Sequence, residues 1–259
     1  MLQYHKKELS MKKFIIAGIR SDIGMAYARA LQHHGKVYGL SRSTKQISKL
    51  EYYFHKTCDL MNPEDTVGVL DVVQSSDEWV YIHLPGEFRF QDENHPIVDE
   101  DSDGIDDSMY TSNVVTFKNI MPELKRHART QKIKLVAIGS TADLYDVKYW
   151  DSFTRSKNEL RKLFRHMYGD PELWGNISTL FVNVSTTDGS QLSRERPYID
   201  KKYVLTPEDI VNESLTYLMD NVHSSIEINV LKPNPEFLEE DYFSDQRVRD
   251  RWYKDMYGE

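Results

Sequence analysis

The residues in this chain that could first do chemistry lie between positions 14 and 43, FIIAGIRSDIGMAYARALQHHGKVYGLSRS. Gly18 and Gly24 bracket a turn between an apolar run and an amphipathic stretch. A strand, a glycine turn and a helix together present backbone N–H groups and a helix N-terminus to a phosphate. Two glycines alone would mark any turn, so the strand–helix–strand context carries the reading. The next strand ends in Leu40-Ser41-Arg42-Ser43, without the acid that binds ribose hydroxyls in dinucleotide folds. Arg42, with Arg20 and Ser41 expected nearby, offers a guanidinium fork that matches a 2′-phosphate. The alternative is that both arginines are solvated surface charges. His83 closes a later apolar run, where a histidine is more often hydrogen-bonded than catalytic.

These groups need a frame. Residues 14–17 read as a strand buried on both faces. An amphipathic helix runs to His34, Gly35 stops it, and 36–40 form a second strand. A short helix is expected over 44–53 and a third strand over 54–58. Asn62-Pro63-Glu64-Asp65 is a helix start whose apolar face runs over 66–73. A fourth strand, 79–84, runs into Pro85-Gly86. Residues 87–107 are acidic. They lack the closing Glu of a calcium loop and read as a solvated loop, so no metal site is expected. Val114, Phe117, Ile120 and Leu124 set a helical period over 108–126. Strands at 133–139 and 177–184 bracket a long helix over 151–167. Thr206-Pro207 starts a helix that continues over 210–219, and 225–231 form the last strand. This alternation predicts a doubly wound α/β sandwich with a mostly parallel sheet of about seven strands. One domain spans 1–259, with a leader at 1–12 and a C-terminal extension at 233–259. That extension is too aromatic for plain disorder, and it is expected to pack on a neighbour or near the mouth of the site.

Composition narrows the classes. The net charge of -8 and pI near 5.6 argue against nucleic acid as a partner. Cys58 is the only cysteine, which excludes an internal disulfide and a cysteine-based zinc site. No apolar run is long enough for a bilayer, and the polar N-terminus is no secretory signal, so a soluble cytoplasmic protein is expected. Met11 is an alternative start.

The spacing Gly18-x-x-x-Asp22-Ile23-Gly24 resembles the TGxxxGIG turn of the short-chain dehydrogenases/reductases, with Asp22 at the middle glycine and Ala17 at the threonine. A carboxylate there is unfavourable beside a pyrophosphate unless it turns away to cap the helix. Ser21 or Asp22 would cap, and Asp22 is the expected one. The resemblance runs over residues 13–232 and implies a Rossmann-type fold binding NADP(H). Gly18, Arg20, Ser21, Ile23 and Gly24 would form the phosphate turn, and Ser41 and Arg42 would meet the 2′-phosphate. It further implies Asp59-Leu60 beside the adenine, Gly86 near the ribose, and Thr186 or Thr187 near the carboxamide or phosphate. Residues 190–203 resemble the mobile segment that covers the substrate.

In the catalytic part the resemblance implies Asn113 at a helix kink holding a water, Ser140 against the carbonyl oxygen, and Lys157 on the nicotinamide ribose. The family's Tyr-x-x-x-Lys signature reads Phe153-Thr154-Arg155-Ser156-Lys157 here, so the tyrosine that transfers the proton is missing. Tyr149, one helical turn earlier, is a candidate substitute or a packing aromatic. The implied activity is an oxidoreductase interconverting a small-molecule carbonyl and an alcohol with a degraded active site, in a homodimer or homotetramer built partly on the Asn113 and Lys157 helices. The alternative is an inactive cofactor-binding homologue acting as a sensor or assembly partner. A sugar-nucleotide-modifying extended relative is a weaker third reading, because the chain is short for a separate substrate domain.

Overall fold

A computed structural model describes residues 12–258 except 46, 48, 49, 51, 52, 74–77 and 174. The expected leader, apart from Lys12, lies outside the described residues, as do several positions of the helix expected over 44–53.

Seven strands form one sheet: β1 Lys12–Ala17, β2 Gly35–Ser41, β3 Tyr53–Thr57, β4 Glu78–His83, β5 Lys132–Ser140, β6 Ile177–Val184 and β7 Ser225–Val230. All neighbouring pairs are parallel, in the order β3-β2-β1-β4-β5-β6-β7. Parallel strands need crossovers that cover both faces, which is why the central strands are buried nearly continuously rather than on alternate residues. The helices are α1 Asp22–Leu31, α2 Pro63–Thr66, α3 Asp107–Tyr110, α4 Thr116–Ala128, α5 Asp151–Gly169, α6 Ser190–Glu195, α7 Pro207–Met219 and α8 Asp245–Tyr257. On one face Phe117 and Leu124 of α4 and Leu160 and Phe164 of α5 pack on Tyr81, Leu135 and Phe181. On the other, Tyr27 and Leu31 of α1 and Ile210 and Leu218 of α7 pack on Ile16, Ile82 and Val136. Each such fully buried side chain contributes roughly 1.5–3 kcal/mol.

Chain order reverses at β1, which pairs with both β2 and β4. Ala17 lies level with Leu40 and with His83, so the turns after β1, β2 and β4 open at one height. Ligands of open parallel sheets bind in such a crevice beyond the carboxyl ends.

Several local expectations change. The described residues of 44–52 are not helical, and Tyr53 already belongs to β3. Helix α1 stops at Leu31, and Gly35 is the first residue of β2 rather than a helix stop. The helix at Pro63 lasts four residues; Gly68, at φ +64°, turns the chain before a 3-10 turn at Asp71–Val73. The helix expected over 108–126 is divided by a π turn at Thr111–Val115. The acidic segment folds into nested turns. There the Asp99 carboxylate accepts from Asp103 N and Gly104 N, and one carboxylate oxygen each from Asp99, Asp101 and Asp103 falls within 4.8 Å of the others. The C-terminal extension forms α8, whose Val248 and Trp252 pack with Phe90, Tyr149 and Trp150 over the carboxyl end of the sheet. Among the described residues no helix is long and apolar enough to cross a membrane.

Candidate cofactor and active site

The glycine turn is held by its own backbone. Gly18 N donates to Leu40 O at 3.1 Å, and its φ of +77° favours glycine. A Cβ on Gly24 would come within 2.6 Å of Gly18 O, so helix and turn approach this closely because residue 24 is glycine. Ser21, not Asp22, caps α1: its hydroxyl accepts from Gly24 N at 3.0 Å and donates to Gly18 O at 2.9 Å. Asp22 is the first helical residue, and its carboxylate reaches across to accept from Ser190 N and Ser190 Oγ at 2.8 and 2.9 Å. Half-buried Ile23 packs on the α1–α7 core.

Beyond β2, the Ser41 hydroxyl donates to Ser43 O at 3.3 Å. His55 Nε2 donates to the same carbonyl at 2.6 Å, while its Nδ1 accepts from Tyr53 Oη at 2.8 Å. The Arg20 guanidinium donates to Lys45 O. Arg42 is exposed and, among the described residues, has no hydrogen-bond or ion-pair partner. The loop that carries Arg42 is thus pinned from both sides while its guanidinium stays free. Past β3, the Asp59 carboxylate accepts from Met61 N at 3.0 Å, and Leu60 is buried in the core.

At the end of β4 and β5 a second group converges. Asn113 lies on the π turn and is fully buried. Its Nδ2 donates to Glu87 O at 2.9 Å and to Ser156 Oγ at 3.1 Å, which draws the side chain inward at the irregular turn. Its Oδ1 is buried without a partner. Lys157 is buried too, and its Nζ donates to Ile138 O at 3.1 Å. A Cβ on Gly86 would lie 2.7 Å from Asn113 Oδ1 and 3.0 Å from Lys157 Nζ, so the bare glycine leaves these two groups facing one gap. Burial lowers the Lys157 ammonium to about 8. Ser140 caps the turn after β5, its Oγ accepting from Ala142 N at 3.0 Å, which leaves its O–H free to donate. His83 is a buried hub: its Nε2 donates to Thr116 Oγ1 at 3.2 Å and its Nδ1 accepts from Tyr81 Oη at 3.3 Å. Burial, with Lys157 adding to it, pushes His83 down to about 3 and holds it neutral.

Phe153 presents its ring 5.5 Å below the Lys157 ammonium, edge-on to Phe88. Tyr149 is 5% exposed and stacks on Phe90 at 5.0 Å, in the cluster covered by α8. That is a packing role, and the sequence offers no cue for choosing it over a catalytic one.

No protein-family model matches this chain, and no curated protein does. Solved structures do. An alcohol dehydrogenase from the archaeon Thermococcus sibiricus, complexed with 5-hydroxy-NADP, superposes with a TM-score of 0.66 at 20% identity, covering 87% of this chain and 99% of that one. A 3-ketoacyl-(acyl-carrier-protein) reductase from Brucella melitensis, complexed with NADH, gives 0.68 at 13%, covering 86% and 98%. A short-chain dehydrogenase from Burkholderia cenocepacia in complex with NADP gives 0.67 at 15%, covering 92% and 95%. The fold is that of the short-chain dehydrogenases/reductases.

For a nicotinamide dinucleotide in this short-chain dehydrogenase/reductase fold, the two ends of the crevice suit the group. The orphaned Asn113 Oδ1, buried Lys157 and bare Gly86 form a cradle at one end, and unpaired Arg42 stands at the other. The middle differs, because Asp22 sets a carboxylate at the α1 N-terminus.

The segment after β6 closes over this crevice. Thr186 is exposed, and Thr187 donates from Oγ1 to Ser185 O at 3.0 Å, so neither is singled out as a ligand. Helix α6 lies where the substrate-covering segment is expected. Gln191 Nε2 donates to Phe88 O at 3.1 Å, and Arg196 pairs with Asp255 of α8 while its guanidinium lies 4.1 Å from the Trp252 ring. Sequence reasoning missed Ser190, Gln191, Arg196 and Trp252, since each acts through a partner far away in the chain.

Proposed function

We propose that this chain is an NADP(H)-dependent oxidoreductase that interconverts a small-molecule carbonyl and an alcohol. The convergence of Gly86, the unpartnered Asn113 Oδ1 and buried Lys157 on one gap carries this reading. Lys157 would hold the nicotinamide ribose, and Arg42, with Arg20 and Ser41 beside it, the 2′-phosphate. The bound cofactor would supply or accept a hydride. Ser140 Oγ keeps a free O–H, which would donate to the carbonyl oxygen and polarise it. Phe153 has no proton to give. Lys157 Nζ, 5.5 Å from the Phe153 ring, would supply one through a water donating to Asn113 Oδ1, and an ammonium near 8 releases a proton close to neutral pH. Without the phenol, turnover falls short of a tyrosine-bearing site by roughly 10²–10⁴-fold.

The aromatic enclosure of Tyr149 and Phe153 favours a second reading, a cofactor-binding protein without redox turnover. NADPH titration by fluorescence, followed by reduction of a panel of reactive carbonyls, separates the two. The oxidoreductase reading expects NADPH binding that Lys157→Ala weakens, slow native turnover, Phe153→Tyr raising it by roughly 10²–10⁴-fold, and Tyr149→Phe leaving it intact. Turnover that arises only in Phe153→Tyr establishes the binding-protein reading. NADPH affinity unchanged by Lys157→Ala refutes the site.

A further inference from the structure

The N-terminus of α1 is where the fold's phosphate turn meets a helix dipole, and an anion there is stabilised. This chain places its own anion at that point. Asp22 is exposed, yet its carboxylate is engaged: Oδ2 accepts from Ser190 N at 2.8 Å and from Ser190 Oγ at 2.9 Å. The approach depends on Gly189, where a Cβ would lie 2.6 Å from the same oxygen. Asp22 therefore ties the first turn of α1 to the first residue of α6, 168 positions later. The other end of this segment is fixed elsewhere, through Arg196 to Asp255 and Tyr198 N to Asp255 O at 3.0 Å. With α8 holding one end, Asp22 holds the end that lies over the glycine turn.

We infer that Asp22 is an autoinhibitory latch: it closes α6 onto the glycine turn, and a dinucleotide has to displace it for its phosphates to reach the α1 N-terminus. The displacement rests on the dinucleotide reading above; the latch itself does not. A carboxylate that holds the lid and repels phosphate opposes loading twice, by charge and by closure. Neither effect requires Asp22 to touch a substrate.

Two variants separate these effects. Asp22→Asn keeps an acceptor but removes the charge, and Asp22→Ala removes both. Asp22 is exposed, so both variants are expected to fold. Fluorescence titration with NADPH is expected to show about tenfold tighter binding in Asp22→Asn, the size of one relieved like-charge contact near the surface, and tighter binding still in Asp22→Ala, where the closure is lost as well. Hydrogen exchange without nucleotide is expected to quicken over residues 190–195 in Asp22→Ala and to change less in Asp22→Asn. Equal or weaker NADPH affinity in both variants overturns the displacement. Unchanged exchange over 190–195 in Asp22→Ala overturns the latch. If no form of the protein binds NADPH, the cofactor reading and the displacement both fall, while the exchange experiment still decides the latch.

Discussion

Replacing Lys157 by methionine should stabilise the protein at neutral pH while damaging its site. The ammonium is buried, donates to one carbonyl at 3.1 Å, and burial is the sole cause of its shift from 10.5 to about 8. Because the folded value lies below the unfolded one, the unfolded chain binds the proton more tightly. The folded state therefore carries a penalty at low pH that disappears as pH rises from about 8 toward 10.5. At about 1.4 kcal/mol per unit, the penalty at pH 7 is about 3 kcal/mol. Methionine has a similar shape but leaves Ile138 O without this donor, a loss of about 1 kcal/mol. The variant should thus gain about 2 kcal/mol at pH 7, or roughly 4–8 °C in melting temperature for a chain of this size. The two stability curves should cross close to pH 10, where wild-type Lys157 has lost most of its penalty. Urea unfolding at pH 7, 8, 9 and 10 measures both curves. A stability difference that stays constant over this range, or a variant that is less stable at pH 7, would refute the reasoning. Either would mean that the ammonium is stabilised where it sits. Stability gained at the expense of a binding group is the usual trade at functional sites.

Arg42→Ala should narrow the preference for NADPH over NADH in parallel fluorescence titrations, since the exposed Arg42 guanidinium just after β2 has no partner among the described residues; equal affinities in the unmodified protein would count against the 2′-phosphate assignment. Gly86→Ala places a methyl 2.7 Å from Asn113 Oδ1 and 3.0 Å from Lys157 Nζ, so NADPH binding should be lost with the fold intact by circular dichroism, and a normal dissociation constant would exclude the gap as a ligand site. His83 is held neutral down to about 3, whereas an unfolded histidine protonates near 6.5, so its contribution is present above 6.5 and is lost as pH falls toward 3. His83→Gln should therefore move the acid-unfolding midpoint to lower pH, and an unmoved midpoint would assign acid unfolding to other groups.

The sequence by itself determined the layering. Short unbroken apolar runs such as residues 14–17, bounded by turn residues, read as strands covered on both faces, and the 3.6-residue periods between them as the covering helices. Short-range hydrogen bonding was equally legible, because cap and partner lie within three residues. The reciprocal box of Thr206 and Asp209 at the start of α7 and the Asn62 cap of α2 follow from residue types alone. The same rule left Ser21 and Asp22 as rival caps for α1, since both side chains can reach the first turn. The fold decided between them by offering Asp22 a partner at Ser190, and no local pattern encodes a contact over that distance. Tertiary structure also turned Tyr149 into the cluster with Phe90 under α8, and it gathered Gly86, Asn113 and Lys157 around one gap. These residues sit on the carboxyl side of β4, on the π turn and on α5, and the parallel sheet levels those ends together. Periodicity says which face of an element is buried; which side chains meet beyond the ends of the strands depends on strand order and register, which exist only once the sheet has formed.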